Sequence, residues 1–264
     1  MKIAIIGFGF CGKATKRLFE KCSSVSEILI HDPAKGYIID SWSGVAYAFI
    51  CVPTPLIKSK GILDVSIIDT ILLSGRLESN LDEIPTTVQP VIRSTIGPDQ
   101  ALFYMEQCYP APIIMPEFLR EKHWEADVDD ETVPIVIGGD SVGVFTHLLE
   151  QDLNRNIIKT NSMTAAMIKV ARNSALAMKV ALANDFYDIC KNTGADYKTL
   201  KNFLTTDKNL GGTHWEVPGH DNKKGFGGTC LPKDLTHTSN LCYHTNNIMA
   251  TAVKANHERR SEDE

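Results

Sequence analysis

The sequence predicts an α/β fold in which a doubly wound, mainly parallel sheet of Rossmann-like type is followed by a smaller all-helical domain with one long central helix. Three observations carry this. Short apolar runs alternate with helical segments through residue 160. A Gly-x-Gly-x-x-Gly turn, Gly7, Gly9 and Gly12, joins the first run to the first helical segment. Past Thr160 strand character stops and a helix-period pattern takes over. The expected domains are therefore residues 1–160, a dinucleotide-binding domain, and residues 161–264, a helical domain.

Taken in order, residues 2–6 read as a strand, residues about 11–21 as a helix and residues 27–31 as a second strand, which is a βαβ unit. Further strands are expected at 45–52, 88–93, 111–115, 133–137 and 156–159, with helical segments near 64–77, 98–108 and 141–151. Strands that read as near-continuous apolar runs belong to a sheet covered on both faces. From 162 to 192 Ile168, Ala171, Ala175, Met178, Leu182, Phe186 and Ile189 recur at spacings of three and four. Residues 174–183 are apolar almost all round, so this helix is expected to bury more than one face. Ser162 is a candidate N-cap, and Gly194 stands just past the end. A helix near 197–204 and a last one over about 232–256 complete the domain, with a charged tail at 257–264 expected to fray.

Composition narrows the function classes. A chain of 264 residues, 43% hydrophobic and 22% charged, can bury a full core. Its formal net charge of -5 gives no general attraction for nucleic acid. No stretch approaches the roughly 20 apolar residues that span a bilayer, and the run at residues 3–6 is too short for a signal h-region; a cytoplasmic protein is expected. Seven cysteines without a CxxC pair argue against a disulfide framework or structural zinc. His214 and His220 lie in a polar, turn-rich stretch without regular Cys/His spacing and read as surface histidines, so no metal is expected.

The glycine turn is the candidate cofactor site. Its glycines permit a tight turn, close approach of a pyrophosphate and close helix packing, and the pyrophosphate sits on the positive end of the following helix. Asp32 closes the second strand, where a carboxylate binds ribose hydroxyls and repels a 2′-phosphate, so NAD is the expected cofactor. Two further segments leave the sheet at the same edge. The run CVPTP at 51–55 carries Thr54, and Ser94 and Thr95 precede the Gly97-Pro98 turn; their hydroxyls are either ligands or ordinary turn and cap groups.

The run GFGGTCLPKD, residues 225–234, places Cys230 inside a glycine-rich loop, with Pro232 suited to the first turn of a helix. A helix N-terminus and Lys233 both favour the thiolate, and loop amides can hold an oxyanion. A lone cysteine is ordinarily inert and buried. The three preceding glycines and the following Lys233 and Asp234 set this one apart. Lys169 and Asn173, four apart, share one face of an apolar helix and either snorkel to solvent or line a site. Glu117 and Glu121 in PEFLRE, residues 116–121, are also four apart and follow a sheet strand.

Together these motifs resemble the UDP-glucose and GDP-mannose dehydrogenases. GFGFCG with Asp32, CVPTP, Ser94-Thr95, PEFLRE, Lys169-x-x-x-Asn173 and GFGGTCLPKD occur in that family's order over nearly the whole chain. The resemblance implies oxidation of a sugar-nucleotide primary alcohol to a carboxylate with two NAD, through an enzyme thioester. It implies Cys230 as nucleophile, with Asp234 and Lys169 as the pair that activates water or stabilises the oxyanion. Asn173 would be a further oxyanion donor, and Glu121 and Thr95 would assist proton transfer. Gly7, Gly9, Gly12, Asp32, Thr54, Thr95, Glu121 and Lys233 would contact the cofactor. Glu117, Phe118, Leu119, Lys169, Asn173 and Gly227 would contact the substrate. A homodimer through the long helix is implied as well. Family members continue into a third, nucleotide-binding domain, so the resemblance also implies a short form lacking it. The stretch 211–224 is a candidate lid. Two other readings fit parts of the pattern: a two-electron hydroxyacid dehydrogenase, which needs no cysteine loop, and an NAD-binding module without turnover.

Overall fold

The computed structural model describes residues 1–73, 84–140 and 142–262. The chain divides into two compact units. The first comprises residues 1–55 and 64–169, the second residues 56–63 and 170–264. The division falls inside the long helix, and it gives a short hairpin, absent from the sequence reading, to the second unit.

In the first unit β1 (Lys2–Ile6), β2 (Glu27–His31), β3 (Val45–Ile50), β6 (Gln89–Ile92), β7 (Ile113–Ile114), β8 (Ile135–Gly138) and β9 (Ile157–Thr160) form one sheet in the order β2-β1-β3-β6-β7-β8-β9. All pairs are parallel except β7 with β8, which meet antiparallel at Ile114 and Gly138. The pleat sends alternate side chains to opposite faces. Ala4 and Ile6 join the cluster with Ile68, Ala101, Tyr104 and Ala165, while Ile3 and Ile5 join the one with Ala14, Leu18, Phe145 and Leu149. The first cluster lies under α2 (Ser66–Leu73), α3 (Pro98–Gln107) and the start of α6 (Ser162–Thr193). The second lies under α1 (Phe10–Phe19), α4 (Trp124–Asp129) and α5 (Gly143–Asp152). Both faces are therefore dry, which is why the strands carry apolar residues without alternation. The expected helix at 64–77 is observed to Leu73, and its remainder lies outside the described residues. The connection from β2 to β3 carries only a 3-10 turn at Pro33–Lys35.

The second unit is helical apart from the hairpin β4 (Leu56–Ile57) and β5 (Ile62–Leu63), which Asn240 holds through a 2.8 Å hydrogen bond to the Gly61 carbonyl. Its core gathers Ala177, Val180, Phe226, Leu235 and Ala252, with a second cluster of Ala183, Leu204 and Trp215. Asn161, not Ser162, caps α6: its side chain accepts from Thr164 N–H at 2.8 Å, while the Ser162 hydroxyl turns to Met105. Gly194, at φ 78°, ends the helix in the left-handed conformation. The helix α7 (Tyr197–Thr206) is capped by Asp196.

The single last helix expected at 232–256 is two, α8 (Leu231–Leu241) and α9 (Ile248–Glu262). Asn247 is the reason. Its side chain accepts from Ala250 N–H at 2.9 Å and donates to Ser239 and His244 carbonyls, offering local bonds in place of helical ones. The tail expected to fray continues α9 to Glu262. No helix among the described residues is long and apolar enough to cross a membrane.

Candidate functional site

In the first unit the glycine turn is built as its sequence demands. Gly7 has φ 85°, and a Cβ there would stand 2.6 Å from the Cys51 carbonyl oxygen at the end of β3. A Cβ on Gly12 would collide with the Gly7 carbonyl, whereas one on Gly9 would meet nothing within 4 Å. The turn is closed beneath and open at Gly9, where α1 begins and a diphosphate can approach the helix N-terminus. The Asp32 carboxylate accepts from Phe8 N–H at 2.8 Å and from Lys35 at 2.8 Å. Lys35, with help from the Phe8 amide, holds this carboxyl below its ordinary range, so the group is an anion. These residues fit a dinucleotide. Gly7→Ala is expected to cost about 1–2 kcal/mol from the left-handed backbone alone, with the Cys51 collision added. An unchanged denaturant midpoint would contradict this.

At the neighbouring strand ends, the Thr54 hydroxyl donates to the Thr95 carbonyl at 2.8 Å and that of Ser94 to the Val52 carbonyl at 2.7 Å. Thr54 therefore ties the exits of β3 and β6 together. Residues 115–120 follow β7 without regular secondary structure rather than as a helix, so Glu117 and Glu121 do not share a helix face. Glu117 is buried, bonds Leu119 N–H at 2.6 Å and forms a 3.0 Å ion pair with Lys169. Lys169 is itself 2% exposed and lies 5.8 Å from the Phe118 ring centroid. Glu121 begins an exposed 3-10 turn, Glu121–His123.

In the second unit Cys230 is the N-cap of α8 and half-buried, with its sulfur 3.6 Å from the Thr229 hydroxyl. One turn along, Asp234 is wholly buried. Its carboxylate receives Asn173 at 2.6 Å on one oxygen and Lys233 at 2.6 Å on the other. Asn173 and Asp234 thus meet; the expected pairing of Asp234 with Lys169 is not formed, since Asp234 is paired with Lys233 and Lys169 with Glu117. The glycine loop before Cys230 is clamped by residues the sequence reading passed over. Asn184 accepts from Gly225 N–H at 3.0 Å. Asn256 bonds both the N–H and the carbonyl of Phe226, at 2.7 and 3.0 Å. Arg260 donates to the Gly225 carbonyl and pairs with Asp221 at 2.7 Å. A Cβ on Gly227 would strike Arg260. The only sequence signal for Asn184 and Asn256 was amide side chains on otherwise apolar helix faces. The stretch expected as a lid is pinned by Trp215, 5% exposed, whose indole donates to the Gly211 carbonyl at 3.0 Å.

Residues 163–258 match the family model described as the UDP-glucose/GDP-mannose dehydrogenase family, central domain. A UDP-glucose 6-dehydrogenase of Rickettsia bellii (strain RML369-C) is 30% identical over 228 residues, covering 81% of this chain and 49% of the relative. The chain carries the central domain of the UDP-glucose/GDP-mannose dehydrogenase family. It spans about half the length of that relative. The UDP-glucose 6-dehydrogenase AglM of Haloferax volcanii is 27% identical, over 89% of this chain and 64% of its own. Among solved structures, the UDP-D-ManNAc dehydrogenase of Pyrococcus horikoshii superposes with a TM-score of 0.73 at 18% identity, covering 98% of this chain and 69% of that one. Its likeness supports the fold. Within the family's central-domain match lie Lys169, Asn173, Cys230, Lys233 and Asp234.

Proposed function

We propose that the chain carries out the NAD-dependent oxidation of a nucleotide sugar's primary alcohol to a carboxylate, with Cys230 as the covalent nucleophile. The observation that carries this reading is Cys230 at the head of α8, in a clamped glycine loop, one turn from the buried Asn173-Asp234-Lys233 network. Residues 1–160 would serve as the cofactor domain and residues 161–264 as the covalent and dimerising domain. NAD, when bound at Gly7, Gly9, Gly12 and Asp32, supplies the hydride acceptor in both oxidations. Alcohol and water give acid, with four electrons removed and the sulfur regenerated.

The residues divide that work by their chemistry. The Cys230 sulfur forms a bond to the aldehyde carbon, and the resulting oxyanion gathers its stabilisation from cationic and amide donors, the roles assigned to Lys169 and Asn173. After the second oxidation the sulfur holds the acyl group as a thioester. Water then attacks that carbon, the carbon–sulfur bond breaks, and the thiol is restored. Asp234, buried and held at both oxygens, is the group to take the water's proton, and Lys233 fixes its orientation. Glu117, Phe118, Leu119 and Gly227 are assigned to the substrate, and Glu121, Thr54 and Thr95 to the cofactor edge and its proton transfers. Incubation with NAD and a panel of UDP- and GDP-sugars tests the reading. NADH appearing with at least one of them is expected, and NAD binding without reduction across the panel would contradict it.

We also assign a homodimer through α6. Leu182 and Ile189, on one helix face, are 46% and 56% exposed, apolar surface that a second copy would cover. Light scattering is expected to give twice the chain mass, and a monomer at micromolar concentration would rule this out. The thiols, all unbridged among the described residues, suit a reducing cytoplasm.

A further inference from the structure

Another thiol, unused in the chemistry above, lies in the first turn of α1. The Cys11 thiol stands beside the Cys51 thiol and the Arg93 guanidinium, and Cys11 packs against the apolar cluster that holds Cys51. Cys51 directly follows β3, and its N–H donates to the Ile6 carbonyl at 2.7 Å. Thr15 binds the two together: its hydroxyl donates to the Cys11 carbonyl at 2.8 Å and stands 3.5 Å from the Cys51 sulfur. Arg93 is 5% exposed, reaches the Met115 carbonyl only at 3.4 Å and has no hydrogen-bond partner at Nε among the described residues. A buried cation is costly unless it is paired, and a neighbouring thiolate would offset that cost. Cys11 is half-buried as a residue, whereas Cys51 is buried.

We propose that Cys11 and Cys51 form an oxidisable dithiol beneath the dinucleotide turn, a modification site for a peroxide-class oxidant in which Cys11 attacks and Cys51 resolves.

The division of roles follows from the environment. Hydrogen bonding from Cys51, and then the Arg93 charge, hold the Cys11 thiol below the ordinary thiol range against the effect of burial. Burial pushes Cys51 well above it. Cys22, buried with no such partner, is pushed up to about 11 and stays inert. In the first step the Cys11 thiolate attacks one peroxide oxygen, the O–O bond breaks, and a proton leaves with the other oxygen as water, giving a sulfenic acid. In the second, the Cys51 sulfur attacks the Cys11 sulfur, the S–O bond breaks, and a second water departs. The two thiols lose two electrons and one peroxide gains them. The resulting crosslink would tie the start of α1 to the end of β3, where the Cys51 carbonyl already backs the Gly7 turn. An external dithiol reverses it by thiol–disulfide exchange.

Treating the reduced full chain with stoichiometric hydrogen peroxide, alkylating the remaining thiols and mapping the tryptic peptides tests this directly. Loss of both thiols and a crosslink between peptides 3–13 and 36–58 is expected, reversed by dithiothreitol. In Cys51→Ser the reaction should stop at a sulfenic acid on Cys11 that dimedone traps. Cys11 and Cys51 both remaining alkylatable while Cys230 is oxidised would overturn the proposal, as would Cys11 crosslinked to any other cysteine. The wild-type map decides the matter even if the variant fails to fold.

Discussion

Cys230→Ala is expected to lower carboxylate production by at least about 10³-fold, the scale seen when a covalent nucleophile is removed, while NAD binding to the first unit persists. The reason is geometric. Cys230 caps α8, so its sulfur sits where the helix's first N–H groups leave partial positive charge, and the loop holding it is fixed by Asn184, Asn256 and Arg260 rather than by the cysteine itself. Removing the sulfur should therefore leave the loop in place. Acid measured by mass spectrometry and NAD affinity by titration separate the two effects. Full turnover to the acid in this variant would exclude Cys230 as nucleophile.

The second large effect concerns stability. Glu117 and Lys169 form an ion pair with side chains only 6% and 3% exposed. Removing one partner strands the other charge in a dry interior, which typically costs about 3–5 kcal/mol. Glu117→Ala is thus expected to lower the denaturant midpoint strongly. Replacing both residues with apolar ones of similar size, Glu117→Leu with Lys169→Met, should recover most of the loss, because the apolar pair has no charge to desolvate. If the single variant proves as stable as the parent, the pair is not buried in solution.

How far the sequence spoke for this fold depends on the range over which each signal acts. The strands at 2–6 and 27–31 and the long helix ending before Gly194 were legible because apolar periodicity and a left-handed glycine are local. The β4-β5 hairpin was not, since two-residue strands have no periodicity, and Asn240 holds them from a distant helix. The break at residues 242–247 was missed because its cause, the Asn247 side chain, competes with a helix that its neighbours could have continued. At the site, Gly7, Gly12, Asp32 and Cys230 could be read from motifs whose chemistry lies in adjacent residues. The partners of Lys169 and Asp234 could not. Spacing put Lys169 and Asn173 on one helix face, but only the folded chain turns one toward Glu117 and the other toward Asp234. Arg260 was hidden for the same reason: a charged residue near the chain end looks like a solvated tail until its contact with the Gly225 carbonyl is seen.

The central claim is an oxidation in two stages on one sulfur, and the ratio of NADH formed to nucleotide sugar consumed tests it most directly. The account predicts a ratio of two, with the carboxylate as product and dependence on Cys230. A ratio of one that is insensitive to Cys230→Ala would contradict it and place the chain with two-electron dehydrogenases.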